Sequence, residues 1–405
     1  MRKVELLAPA GDMERLRFAL LYGADAVYLG ADRFGMRAVK GGFQPQQLEE
    51  AVRLAHQGGK RAYLTLNAIP TSLEVEALPA YLKLIGKAGF DAVIVADLGV
   101  LALVKRYLPD MELHISTQVG VMNWAAARAC YDMGAKRVVL AREMPLEEIA
   151  RLRDKTPPEL EIEAFCHGAM CVSVSGRCLL SRYINGRDGN RGQCAQPCRW
   201  QWQLSLAEQP QRKFDIGEEE QGSYLLNADD LCTAPFIDKL IEAGVDSLKI
   251  EGRAKSFYYV ASVVAAYRRA LDSYTAARGG YQCPAKTLEE LEKSSHRRYS
   301  PGFYLGEEKA LQNTQSAQYL RGCEVTAVVE SWKDAVAWCV QRGKYRLGEP
   351  LEALLPNGEN VALAPGWIYD DEKQRYTQET PRALMRFLLP VSQPLPPGTI
   401  LRRPL

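Results

Sequence analysis

An alternation repeated through the first 170 residues constrains this chain more than any other feature. Short apolar runs rich in Val, Ile, Leu and Tyr recur: "VELLAPAG", "DAVYLG", "AYLTLNAI", "DAVIVAD", "LHISTQ", "RVVLARE" and "LEIEAFCHG". Such runs suit strands buried on both faces. Between them lie segments with apolar residues at three-and-four spacing, such as "LEVEALPAYLKLIGKAG", the period of an amphipathic helix. Gly23, Gly89 and Gly134 stand where helices must end before the next strand. An eighth unit, "VDSLKIEGR" followed by "SFYYVASVVAAYRRALDSYTAA", begins at residue 245. Eight β/α units predict a closed TIM-like (β/α)8 barrel over residues 1–280. An open doubly wound sheet is the alternative, but no G-x-G-x-x-G follows the first strand.

The interval of about 168–244 is too long for an ordinary barrel loop. It predicts a cysteine-rich insertion after strand 7, at the end of the barrel where active sites lie. Within it, "WQWQLSL" and "SYLLNADD" are expected to pair as a hairpin around the polar connection "AEQPQRKFDIGEEEQG". Residues 281–317 read as a helical linker. From 318 to 405, short alternating runs with Gly/Pro turns ("CEVTAVVESW", "AVAWCVQR", "EPLEALLP", "ALMRFLLP", "PPGTILRR") predict a small β-barrel domain.

The chain carries a net charge of only +2 over 405 residues, so any nucleic-acid binding must come from local patches. No 18-residue apolar run exists to span a membrane, and the start lacks a secretory apolar core. The expectation is a cytoplasmic protein, in which cysteines serve as metal ligands or buried thiols rather than disulfides. Six of the ten cysteines fall between Cys166 and Cys232. Clustered thiolates prefer zinc or an iron–sulfur centre. Only Cys194 and Cys198 have the tight spacing usual in structural zinc, and wide, irregular spacing suits a cluster. An RNA-binding module with structural zinc stays open as a non-catalytic reading.

The run "EAFCHGAMCVSVSGRCLLS", Glu163 to Ser181, resembles the signature of the collagenase-like "unassigned peptidase" family. The resemblance extends to "LLAPAGDMERLRFALLYGADAVYLG" and "LKIEGR". The C-terminal part, "RGQCAQPCRW" and "RRYSPGFYLG" are similar to the branch that makes 5-hydroxyuridine at the tRNA wobble position. The resemblance implies a 4Fe–4S cluster on Cys171, Cys178, Cys194 and Cys232, with Cys166 and Cys198 as neighbours. It also implies prephenate as co-substrate, oxygen-independent hydroxylation, and the tRNA anticodon arm as partner. A homo- or hetero-oligomer with a paralogue fits the same picture. Other members hydroxylate a ribosomal RNA base or a quinone precursor, which gives the alternative, along with peptidase activity. The sequence offers no H-E-x-x-H or G-x-S-x-G to support the family's name.

Catalytic candidates are His167, Arg142, Glu143, Asp229, Glu251 and Arg253, placed by the barrel reading at strand C-terminal ends. Glu5, Asn67, Asp97 and Gln118 are expected there too. Arginine matches the carboxylates of prephenate through its planar fork. Of the remaining histidines, His56 is expected on the surface, His114 in the core with its hydrogen bonds satisfied, and His296 in solvent. Segment 177–199 carries Arg177, Arg182, Arg187, Arg191 and Arg199 against the single acid Asp188. That patch suits phosphate contact. Tyr183, Trp200 and Trp202 interleave with it and suit base stacking. Trp367 and Tyr369 read as part of the terminal domain's own fold.

Overall fold

The computed structural model describes residues 3–31, 34–35, 43–170, 178–189, 193–200, 204–206, 209–214, 228–277, 279–306 and 319–405. All seven runs become parallel strands: β1 (Glu5–Ala10), β2 (Ala26–Leu29), β3 (Arg61–Leu66), β4 (Ala92–Val95), β5 (Glu112–Ile115), β6 (Arg137–Val139) and β7 (Glu161–Ala169). Each pairs with the next in register. The helices between them are α1 (Met13–Leu21), α2 (Pro45–Gln57), α3 (Ser72–Ala88), α4 (Leu98–Tyr107), α5 (Trp124–Asp132) and α6 (Leu146–Asp154). Their N-termini follow the strand ends closely. Asp12, Asp97 and Asn123 each cap a helix by accepting the amide three residues on.

Beyond β7 come α7 (Leu180–Asn185), β8 (Leu204–Leu206), β9 (Gln209–Phe214), β10 (Asp230–Cys232), α8 (Ile237–Glu242) and β11 (Ser247–Ile250). Strand β11 pairs in parallel with both β7 and β1, which closes an eight-stranded barrel. The predicted eighth unit is therefore the closing strand, followed by α9 (Phe257–Ala277). Strand β8 pairs antiparallel with β9, which lies within the polar connection; residues 223–227 of "SYLLNADD" lie outside the described residues, and with them the expected pairing. Residues 215–227 lie outside the described residues. Strand β10 lies antiparallel on the tail of β7, with Cys232 opposite His167 and Asp230 opposite Ala169.

The barrel interior departs from the apolar filling that the strands suggest. Leu7, Ala26, Tyr28, Tyr63, Ala92 and Ile94 form a small apolar cluster there. Around it runs an ionic network. Arg137 contacts Glu5 at 2.6 Å, Glu161 at 2.6 Å and Glu163 at 2.9 Å. Lys249 contacts Glu163 at 2.5 Å, and the Tyr63 hydroxyl donates to Glu5 at 2.5 Å. Glu5 opens β1 at the N-terminal end of the barrel, so its expected place at the mouth is wrong.

Helix α10 (Ala285–Lys293) and the two-residue β12 (Tyr299–Ser300) lead to the C-terminal part. There β13 (Cys323–Lys333), β14 (Val336–Gln341), β15 (Leu351–Leu354), β16 (Asn360–Leu363), β17 (Ile368–Asp370), β18 (Arg375–Thr377), β19 (Arg386–Pro390) and β20 (Ile400–Pro404) form one antiparallel sheet. Inward residues of six of these strands share one apolar core. The sheet is tied to the barrel by Arg402. This fully buried guanidinium meets Glu290 of α10 at 2.6 Å, Glu352 of β15 at 2.6 Å and the Tyr258 hydroxyl of α9 at 3.0 Å. No helix among the described residues is long and apolar enough to cross a membrane.

Candidate active site at the barrel mouth

The C-terminal ends of the strands open on a cleft of about 390 Å³, within the size range of small-molecule sites. Ala169 at the end of β7, Glu251 and Lys255 after β11, Gln196 from the insertion, Ser295 and Tyr319 all line it. Of the predicted catalytic residues, Glu251 is therefore at the cleft. Arg142 lies directly behind it. Its guanidinium donates to the Ala169 carbonyl at 2.7 Å, meets Glu251 at 3.3 Å and covers the Phe165 ring at 3.8 Å. Arg253 is turned inward, donating to the Thr65 hydroxyl at 2.9 Å. Glu143 follows β6 and is half-buried.

The other candidates stand elsewhere. Asp229 is buried and held by Arg298 at 2.9 Å; burial pushes its carboxyl pKa up, against the lowering effect of that guanidinium. His167 is fully buried among Tyr259, Tyr267 and Tyr299, with ring centres 5.2–6.0 Å away. Burial pushes its pKa down to about 3, so the imidazole is neutral. Its Nε2 has no hydrogen-bond partner. Asn67 donates to the Ser116 hydroxyl at 3.4 Å, Asp97 caps α4, and Gln118 is buried in the turn after β5.

Among the remaining histidines, His56 is on the surface, paired with Asp91 at 3.0 Å. His114 is a core histidine, buried against the Tyr63 ring, with its Nε2 3.7 Å from the Glu112 carboxylate. His296 is not solvated: it stacks on Tyr299 at 4.2 Å and bonds the Arg297 carbonyl at 2.6 Å. The linker packs against the tail of β7 through β10 and β12, and that packing buries the imidazole.

The cysteine region divides in two. The Cys178 backbone and the Cys194 side chain both come close to Gly189, where a Cβ would stand 3.8 Å from the Cys178 carbonyl oxygen and from the Cys194 Cβ. The Cys178 sulfur accepts the Leu180 amide and the Cys194 sulfur the Gln196 amide, each at 3.4 Å. The Ala195 amide donates to the Ser181 hydroxyl at 2.9 Å and joins the two strands of this strap. Cys198 is half-buried nearby in sequence. Cys232, by contrast, is buried on β10, with its thiol 3.9 Å from the Tyr267 hydroxyl. Burial pushes that thiol up to about 12. Cys171, Arg177, Arg191 and Trp202 lie outside the described residues. Among the described residues, no three Cys, His, Asp or Glu side chains are grouped closely enough to hold a metal ion.

Helix α7 and the turn after it carry exposed residues of the basic patch. Tyr183 is 81% exposed, Arg187 is exposed, and Arg182 stands 3.6 Å from Asp188. Trp200 is 40% exposed. Trp367 and Tyr369 pack edge-on against Tyr376 in the terminal sheet. Sequence reasoning missed Gln196, Lys255, Ser295 and Tyr319. The signal available for Lys255 was its place four residues beyond Glu251; Tyr319 comes from a linker that nothing in the sequence assigns to the mouth.

Comparison with known proteins bears on the same regions. The model of Peptidase family U32 matches residues 11–314, and that of the Peptidase family U32 C-terminal domain matches 321–402. The chain is 36% identical over 378 residues to "tRNA hydroxylation protein P1" of Bacillus subtilis (strain 168), covering 92% of this chain and 88% of that protein. It is 34% identical over 405 residues to "tRNA hydroxylation protein P" of Escherichia coli (strain K12), covering 88% and 87%. It is also 35% identical over 339 residues to the "23S rRNA 5-hydroxycytidine C2501 synthase" of the same strain, covering 82% of this chain and 50% of that protein. With both family regions matched in order across the barrel and the terminal sheet, the chain belongs to peptidase family U32.

Proposed function

We propose that this protein hydroxylates tRNA, placing oxygen on C5 of the wobble uridine with prephenate as co-substrate and a 4Fe–4S cluster as cofactor. The observation that carries the proposal is the strap at the mouth. Cys178 and Cys194 both border Gly189 in this strap, with a backbone amide on each sulfur. Amide donors of this kind stabilise cluster thiolates and tune their potential. The relatives named for tRNA hydroxylation support the substrate class.

On this reading Cys171, Cys178, Cys194 and Cys232 hold the cluster, which supplies one-electron chemistry that no side chain provides. The backbone amides on the Cys178 and Cys194 sulfurs support that role for these two residues. Cys232 contributes a thiol whose proton burial retains, and which a cation at the sulfur would displace. The chain's own residues do the rest. Glu251 and Lys255 face the cleft and are placed to orient the substrate and hold a proton. Arg142 fixes Glu251 from behind. Exposed Arg182 of α7 and Arg187 just beyond it meet the RNA backbone. No histidine is placed at the mouth to serve as base for a cysteine or serine nucleophile: His114, His167 and His296 are buried and His56 pairs with Asp91. Peptide hydrolysis therefore finds little support in these residues.

The test is protein purified without air, assayed for iron and sulfide, then incubated with unmodified tRNA and prephenate. Appearance of 5-hydroxyuridine in the digested tRNA is the expected result. Iron-loaded protein that leaves tRNA unchanged but modifies ribosomal RNA, or a quinone precursor, would move the chain to the alternative. Zinc in place of iron would reject the cluster.

A further inference from the structure

The cleft beside Cys194 has one aromatic wall. Among the described residues that line it, Tyr319 alone carries a ring, and that side chain is 43% exposed. Its position is fixed by the backbone: the next residue, Leu320, exchanges two hydrogen bonds with His296, at 2.8 and 3.0 Å. The ring is also flanked by cations, with the Lys255 ammonium 4.8 Å and the Arg297 guanidinium 5.3 Å from its centre. Such contacts hold an exposed ring in one orientation.

Gln196 also lines the cleft. Its backbone is left-handed, with φ of 56°. That conformation is costly for a residue with a side chain and persists where the surroundings enforce it, often at functional sites. The amide N–H of Gln196 is the one on the Cys194 sulfur. The cleft therefore begins two residues from a thiol of the strap.

Among the described residues, the ionised groups lining the cleft are Glu251 and Lys255. Arg142 pairs with Glu251 from behind, and Arg253 is turned to the Thr65 hydroxyl. Lys255 and Arg297 stand beside the Tyr319 ring. A flipped-out nucleotide would meet a ring to stack on, an amide able both to donate and to accept, and cations beside the ring for its phosphate.

Resting on the function proposed above, we infer that this cleft is the base subsite, in which Tyr319 stacks the flipped-out pyrimidine and the Gln196 side-chain amide meets its hydrogen-bonding edge. An enzyme acting on a base must take it out of the stack and hold it in a pocket, and aromatic side chains supply the replacement stacking partner. The small anionic co-substrate then binds elsewhere.

The experiment uses an anticodon stem–loop RNA carrying pyrrolocytosine, a fluorescent pyrimidine, at the wobble position, with no oxygen donor present. The wild-type protein quenches the fluorophore by stacking. Tyr319→Phe keeps the quenching and Tyr319→Ala loses it. In turnover, Tyr319→Ala and Gln196→Ala raise KM for tRNA by roughly tenfold and leave KM for the small oxygen donor unchanged. Iron content and circular dichroism equal to wild type show that each variant folds, and Gln196→Ala stands in if Tyr319→Ala does not. A rise in KM for the donor with unchanged quenching would give the cleft to the co-substrate and overturn the inference. So would a Tyr319→Ala protein indistinguishable from wild type. Wild-type protein that neither binds the stem–loop nor hydroxylates tRNA would instead sink the proposed function itself.

Discussion

Inside the barrel, below the mouth, Arg137 touches three carboxylates and Lys249 is matched to Glu163, all within 2.9 Å. At the mouth, Glu251 and Lys255 line an open cleft, and the sulfurs of Cys178 and Cys194 are bonded by amides in a strap beside it. Both regions are rich in groups with chemistry. In the first, every charge named here is buried against an opposite charge, so its work is to make a polar barrel interior tolerable. In the second, Lys255 and the strap cysteines reach solvent, and Glu251 stands largely buried at the cleft wall. Perturbed groups inside an enzyme point to function only where a substrate can reach them. By that rule, His167 and His114, whose pKa values burial lowers, rank below partly exposed Lys255 at the cleft.

Removing a cysteine of the strap should produce the largest effect and break the comparison if it does not. Cys194→Ser and Cys178→Ser are expected to lose iron and sulfide and to drop tRNA hydroxylation at least about 100-fold, while the melting temperature of the metal-free protein stays near wild type. Cys198→Ser should retain iron. Iron retained in Cys194→Ser would remove the strap from the site.

The reciprocal change lies in the buried network. Arg137→Ala takes the shared guanidinium from Glu5, Glu161 and Glu163 and is expected to cost about 3–5 kcal/mol of stability, read by chemical denaturation. Activity per folded molecule should stay within a few-fold of wild type. A large loss of kcat in protein shown to be folded would mean that the interior network communicates with the mouth.

The barrel was the legible part. All seven apolar runs and the closing "VDSLKIEGR" became strands because buried parallel strands leave a dense local signature that no tertiary contact has to supply. In the terminal sheet, β16, β17 and β18 escaped notice: at three or four residues each, they are too short to show a period of two. The interior ion network could have been read from single charges within apolar runs, Glu163 in "EIEAF" and Lys249 in "SLKIE", since an isolated charge there must find a partner inside. The cleft was legible by halves. Glu251 follows from barrel geometry, whereas Tyr319 and Ser295 come from segments brought to the mouth by the packing of β10 and β12, which local sequence does not encode. His296 was misplaced for the same reason.

Acid sharpens the contrast between interior and mouth. Burial alone would raise the Glu163 carboxyl, but Lys249 and Arg137 outweigh it and hold the pKa at about 2, against an ordinary 4.5. A carboxyl lowered on folding contributes stability that is fully present above the unfolded value and is lost as pH falls through the folded one. For Glu163 that window runs from about pH 4.5 down to about 2, and linkage assigns it about 3 kcal/mol. Denaturation free energy should therefore fall across this window in wild type, and Glu163→Gln should flatten the slope although it lowers stability at neutral pH. An unchanged slope would mean that the network is not ionised as its geometry implies.

The smallest effect belongs to α7 and the turn that follows it. Arg187 is exposed, and Arg182 has one acid, Asp188, at 3.6 Å. If this helix meets RNA phosphate, each arginine accounts for about one counterion released on binding. Arg187→Ala should weaken tRNA binding only a few-fold at moderate salt, lower the slope of log affinity against log salt by about one, and act equally on tRNAs of any anticodon. Tyr319→Ala, by contrast, should weaken binding with no change in that slope, because stacking releases no counterions. The pair of slopes separates backbone contact on the strap from base recognition in the cleft. A salt slope untouched in Arg187→Ala would take the RNA path off α7 and leave the cleft to be reached from another side.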